Sequence, residues 1–186
     1  MATKTPCVAN EEKFRELVLY VSQKCAFDPM FGATKLNKIL FYSDFLTFAR
    51  SGSAITGAEY QRLRNGPAPR MLLPIRAKMI EEHILGMQEV RLKSGKVQKR
   101  TVSLRQPNLR IFTGDEIAMV DYIIEALSDC DAQTVSEISH TMVGWQVAAE
   151  GETIPYEMVF LSNEPLSEAE IMRGLEIAAE LRREAA

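Results

Sequence analysis

Apolar residues recur at helical spacing through most of this chain, and the period changes once, over residues 87–104. Phe14, Leu17, Val18, Val21 and Cys25 fall at i, i+3, i+4, i+7 and i+11, a narrow stripe that predicts a first helix buried on one side. Asn10 suits its N-cap, and Glu11 and Glu12 suit the positive end of its dipole. Asp28-Pro29 and Gly32 then break the chain. The next helix, from Lys35, is apolar on two sides. Leu36, Ile39, Leu40 and Leu46 line one, and Phe41, Phe45 and Phe48 line the other. A helix with two apolar faces is enclosed by neighbours, so this one is expected to be the central post.

Gly57 and the run Asn65-Gly66-Pro67-Ala68-Pro69 force turns, because Gly tolerates positive φ while Pro fixes φ and lacks a donor. Residues 72–84 predict a third helix with Pro74 in its first turn. Residues 87–104 alternate over short runs around Ser94-Gly95 and predict a β-hairpin or two strands of a small sheet, to which residues 60–64 are expected to add a short strand. Thr113 and Glu116 have capping-box spacing, and the helix after them directs Ile117, Val120, Ile124 and Leu127 inward. Asp131 caps a shorter helix carrying Val135, Ile138 and Met142. A second capping box, Ser167 with Glu170, opens a last helix over about 167–184, with Leu166 and Ile171 placed as a hydrophobic staple. Ile171, Leu175, Ala178 and Leu181 share one side of it. The fold class this predicts is mainly α, a compact multi-helix domain with a small antiparallel sheet or hairpin, and residues 1–186 are expected to form one domain.

Composition adds little to that picture, but charge changes it. A chain that is 46% hydrophobic and 25% charged is an ordinary globular protein. No run is long and apolar enough to span a membrane, and the first residues lack the apolar core of a signal peptide, so a cytoplasmic protein is expected. Cys7, Cys25 and Cys130 are odd in number and widely spaced, which fits reduced thiols. The net charge of −3 conceals a segment, 90–110, with seven Lys or Arg and no acid, followed by a segment, 111–186, with sixteen acids and three bases. Such an asymmetry bears on partners, unless the two parts complement one another within the fold.

Candidate chemistry is sparse. Two histidines, His83 and His140, and no paired Cys or His do not make a zinc site, which needs about four converging ligands. His140 with Trp145 is a recognition spot or, more simply, a core Trp beside a histidine that satisfies a buried backbone group. Asp44 lies within the most apolar helix, where an acid is more often a hydrogen-bonded structural group than a catalytic one. Tyr42 and Tyr60 read as core-edge tyrosines. The Gly66-Pro67 corner is no phosphate loop, for it lacks the Gly-Lys-Ser/Thr ending. Its prolines suit either an exposed loop that holds a shape for a partner or simple chain reversal. Residues 133–139 read like the first helix of a helix-turn-helix with the basic hairpin as a wing, yet residues 142–152 carry acids and no Lys or Arg, which opposes phosphate binding.

In order along the chain stand Lys35, Leu36, Lys38, Tyr42, Asp44, Gly57, Tyr60, Gly66 and Pro67, then Ile138-Ser139-His140 and Trp145. This set resembles the Panacea domain, also called the SocA-like antitoxin domain, of bacterial and phage toxin–antitoxin systems, over about residues 14–160. The resemblance implies an antitoxin that neutralises an adjacently encoded cognate toxin by direct protein–protein binding, with no catalytic residues, no cofactor and no metal. The expected toxin-binding positions are Arg64, Pro67 and Arg70 at the corner and Lys96, Lys99 and Arg100 on the basic arm, with the acidic C-terminal helix as a further surface. A winged-helix-like nucleic-acid-binding regulator is the alternative, and an enzyme centred on Asp44, Tyr60 and His140 a third.

Overall fold

Helix α2 (Ala33–Ser51) runs through the centre of the fold in the computed structural model, which describes residues 8–92, 95–165 and 167–184. Leu36, Ile39, Leu40, Phe41 and Phe45 are fully buried along it, so both apolar faces are covered. Helix α1 (Glu11–Lys24) begins on Asn10, whose side chain accepts from the Lys13 amide at 2.9 Å. It buries Phe14, Leu17, Val18 and Val21, each contributing roughly 1.5–3 kcal/mol of apolar transfer. Cys25 is buried at its end, and burial pushes that thiol up to about 12. Cys7, Ser94 of the expected hairpin turn and Leu166 of the expected staple lie outside the described residues.

Helix α3 (Leu72–Glu81) carries Pro74 in its first turn, where no intrahelical amide is lost. It closes with paired bonds from the His83 amide to Ile80 O and from the Ile84 amide to Met79 O, both 3.0 Å, with His83 in the left-handed region at φ 55°. Strands β1 (Tyr60–Gln61), β2 (Ala68–Pro69) and β5 (Thr153–Ile154) form one antiparallel sheet in the order β2-β1-β5. Strands β3 (Leu85–Arg91) and β4 (Val97–Ser103) form the hairpin, in register from Leu85↔Ser103 to Arg91↔Val97. The strand expected near Tyr60 therefore exists, but it joins β2 and β5 instead of the hairpin. Pro69, which has no amide to donate, sits on an edge strand as it must.

Helix α4 (Gly114–Ala126) starts at the Thr113–Glu116 capping box and buries Val120 and Ile123, with Leu127 buried just beyond it, while Ile117 and Ile124 are half-buried. Helix α5 (Ala132–His140), capped by Asp131, buries Val135, but Ile138 is 40% exposed. Ser139 takes the inward position because that face meets the backbone of Gly66. Helix α6 (Val143–Val147) has five residues. Helix α7 (Glu168–Glu184) opens on the Ser167–Glu170 capping box, and its side chains, including Ile171, Met172, Leu175 and Leu181, are exposed. It thus has the apolar side its sequence implies, but that side is not covered by the body.

The Gly-Pro corner departs from the exposed-loop reading: Gly66, Pro67, Ala68 and Pro69 are all buried. The corner forms strand β2 and closes over α2, and only Arg64, Asn65 and Arg70 at its margins face solvent. Among the described residues, no helix is long and apolar enough to cross a membrane.

Candidate functional site

Helix α2 buries three charged side chains, each met differently. Lys35 Nζ pairs with Asp28 Oδ2 at 2.7 Å and donates to Ser128 O at 2.8 Å, fixing the α1–α2 loop and the end of α4 to the central helix. Asp44 is fully buried and accepts from the Thr56 amide at 2.7 Å and from the Tyr60 hydroxyl at 2.8 Å, with the Thr56 hydroxyl as a further donor. Burial raises its carboxyl to about 6, against the opposing effect of hydrogen bonds from Thr56, Tyr60 and Tyr156. A carboxylate so enclosed orients the segment that crosses α2 and is sealed from any substrate.

Lys38 differs. It is buried, and its Nζ donates to Pro67 O at 3.0 Å, with no carboxylate within ion-pair distance among the described residues. Burial alone lowers it to about 7. The corner reaches Lys38 only because position 66 is glycine. Its φ is +93°, and a Cβ there would come within 2.1 Å of Ser139 Oγ and 2.8 Å of Lys38 Nζ. Gly57 is held by a similar closeness, since a Cβ would approach Val8 O to 2.7 Å at φ +67°. Tyr42 packs edge-on against Phe41, and its buried hydroxyl makes no hydrogen bond among the described residues.

His140 and Trp145 belong to another cluster. Their rings stack at 3.8 Å, and the Arg62 guanidinium covers the Trp145 ring at 4.5 Å. Trp145 Nε1 donates to Leu63 O at 3.0 Å, and Arg62 continues to Glu150 at 2.9 Å. Trp145 is therefore half-buried in a cation–aromatic–imidazole stack at the core margin, not a fully enclosed core residue. Burial and the nearby Lys38 lower the His140 imidazole. The structure joins Asp44 to Tyr60 but places His140 on Trp145, so the three residues of the enzyme reading do not form one site.

The six candidate contact residues divide in the same way. Pro67 is buried under the corner. Arg70 binds back across the sheet to Gln61 at 2.9 Å, Thr153 at 3.1 Å and the Gly151 carbonyl, so it stitches β5 into place. Arg100 donates to Cys25 O at 3.3 Å and Ala26 O at 2.9 Å, closing the C-terminus of α1. Arg105, also in the basic arm, grips the buried Glu16 carboxylate. Part of the arm's charge, that of Arg100 and Arg105, is thus used within the fold. Arg64, Lys96 and Lys99 remain exposed, Lys99 facing Glu89 at 3.8 Å.

The helix-turn-helix reading finds no support in this geometry. Helix α6 is one short turn or so where a reading helix is required, and the hairpin precedes α5 and α6 in place of following them. The model of the family described as "Antitoxin SocA-like, Panacea domain" matches residues 36–146, more than half of the chain. The chain belongs to the SocA-like Panacea family. Of the motif positions, Leu36 through Trp145 fall inside the match and Lys35 stands just before it; the match is narrower than the span of about 14–160 read from the sequence. No curated protein and no solved structure matches the chain. In Panacea terms, the motif residues organise the contacts of α2: Lys38 holds the Gly-Pro corner, Asp44 and Tyr60 hold β1, and Gly57 admits the N-terminal segment.

Sequence reasoning missed Phe27. It lies in the α1–α2 loop, outside every periodic stripe, and is 98% exposed. The signal available was a lone aromatic beside the Asp28-Pro29 break, at a point where neither helix claims it.

Proposed function

We propose that this Panacea protein is a bacterial or prophage antitoxin, acting in the cytoplasm, that neutralises a toxin encoded beside it by direct protein–protein binding. The observation that carries this reading is the family match over residues 36–146. The buried, internally satisfied state of Asp44 and the separation of His140 from it support a role without chemistry. Arg64, Lys96 and Lys99 are the contact positions retained from the sequence, because their heads face solvent. Arg70, Arg100 and Pro67 act indirectly, by shaping the surface.

The test is co-expression. Cells producing the neighbouring gene product should stop growing, and this chain should restore growth and co-purify with that product. A neighbour that is harmless alone, or toxic and not rescued, removes the reading.

A further inference from the structure

A single exposed apolar side chain means little, since every protein surface carries some. Phe27 is distinguished by how firmly its loop is held. The Arg100 guanidinium grips Ala26 O on one side of it, and Gln98 Nε2 reaches Pro29 O at 3.3 Å on the other. Asp28 is locked by Lys35 at 2.7 Å and accepts from the Met30 amide at 2.7 Å. Backbone bonds from Asp28 to Cys25 O and from Phe31 to Asp28 O, both 3.1 Å, complete the turn. The loop is pinned at Ala26 on one side of Phe27 and at Asp28, Pro29, Met30 and Phe31 on the other, while it presents a phenyl ring entirely to water. A rigid exposed aromatic is an anchor whose ordering cost is already met before any partner arrives.

The same loop forms one wall of a groove of about 620 Å³ between α2, α5 and the hairpin. Met30, Leu92 and Val97 supply its apolar lining, with Met30 39% and Val97 50% exposed. Lys96 and Lys99 supply its rim. Asp131, the one acid among the described lining residues, is engaged in capping α5, where it accepts from the Thr134 amide at 2.8 Å. Apolar side chains beside two lysines and one acid give the groove a small net positive charge, with Lys99 also facing Glu89 at 3.8 Å, and such a combination suits a protein partner of negative charge.

We propose that the Phe27 loop and this groove form the docking face for the toxin. The toxin offers an acid-rimmed segment that lies along Lys96 and Lys99, with an apolar pocket that receives the Phe27 ring. This rests on the antitoxin reading and specifies which surface and which partner chemistry serve it. Arg100 and Gln98 are positioning residues here: they hold the loop and leave contact to Phe27, Met30 and Val97.

The experiment uses the full chain and the product of the neighbouring reading frame as probe. Phe27→Ala should weaken binding by roughly 30-fold or more, the range of a buried aromatic anchor, with thermal melting unchanged. Lys96→Glu with Lys99→Glu should slow association and flatten its salt dependence. Phe27→Trp should retain binding and shift its added emission to the blue in the complex. If the wild type binds the neighbour and all three variants bind it equally, with no emission shift, the docking face is elsewhere and the antitoxin reading stands. If the variants instead convert a self-associated form to monomer while toxin affinity is unchanged, the groove belongs to a second copy, α7 being the candidate occupant, and the inference is overturned. If the wild type neither rescues nor binds, the antitoxin reading fails and this one with it.

Discussion

Gly66 and Lys38 share one small space: a Cβ on the glycine would come within 2.8 Å of the lysine amine, which is held against the next carbonyl, Pro67 O, at 3.0 Å. Neither side yields easily. Lys38 is buried along its length, and Ser139 Oγ on the other side is fixed by its own bond to Ser136 O at 2.7 Å. Gly66→Ala should therefore cost about 3 kcal/mol, from overpacking and a positive φ together. Gly95→Ala is the control: its φ is +80°, but a Cβ there meets nothing within 4 Å. It should cost only the backbone part, ~1 kcal/mol. Urea unfolding of the two variants separates the terms.

Lys38 also makes stability depend on pH. Its folded value is about 7, below the ordinary 10.5 of a lysine. Between those values the unfolded chain binds the proton and the folded chain does not, so stability from this group rises with pH across the window. Lys38→Met removes that dependence. The wild type should gain on the variant by roughly 2–3 kcal/mol as pH goes from 7 to 9. Parallel slopes for the two proteins over that range would show that Lys38 keeps its charge when buried.

Asp44→Ala should be among the most damaging single changes away from the aliphatic core. It leaves the Thr56 amide and hydroxyl without their buried acceptor, while the Tyr60 hydroxyl keeps Leu40 O, a loss of about 2–6 kcal/mol at 1–3 kcal/mol for each unpaired group. The sign of its pH dependence is opposite to that of Lys38. With a folded value of about 6 against an ordinary 3.8, the folded state holds the proton longer, and the stability Asp44 contributes declines as pH rises from about 4 to about 6. The gap between wild type and variant should be wider at pH 4 than at pH 7, as read by thermal melting in the two buffers.

His83→Gly should stabilise the protein. His83 occupies the left-handed position that closes α3, at φ 55°, where a Cβ costs roughly 1 kcal/mol that glycine does not incur. A rise in urea midpoint with unchanged slope is the expected result. A fall would mean that the exposed imidazole makes a contribution larger than the backbone strain.

What the sequence made legible was local. Asn10, Thr113 with Glu116, Asp131 and Ser167 with Glu170 all cap the helices they precede, because a cap is decided within four residues. The central helix was legible for the same reason: its faces are a matter of period. Of its charged residues, Asp44 was legible as a hydrogen-bonded structural group, from its place in the most apolar helix, but Lys35 and Lys38 were not, since the groups that enclose them, Ser128 O and Pro67 O, come from other elements. The corner read as exposed because Gly and Pro usually mark surface turns, and here the turn is folded inward by pairing with β1. Arg100 read as a free cation because its acceptors, Cys25 O and Ala26 O, are far away in the chain. Of the proposed docking face the sequence offered Lys96 and Lys99 but not Phe27, for the face joins a loop residue in no stripe to a hairpin that arrives much later.

Strand β5 gives the fold a particular order of assembly. Tyr60 pairs with Ile154, and the Tyr156 hydroxyl donates to Ala58 O at 2.7 Å, so one edge of the middle strand stays open until residues 153–156 arrive. The family match ends at residue 146, short of both contacts. The sheet that holds the corner thus takes its outer strand from beyond the matched segment, and the loop closed between Tyr60 and Ile154 is long, a kind of contact that forms slowly. In refolding, the helix signal is expected to return before the β1–β5 pairing closes the sheet.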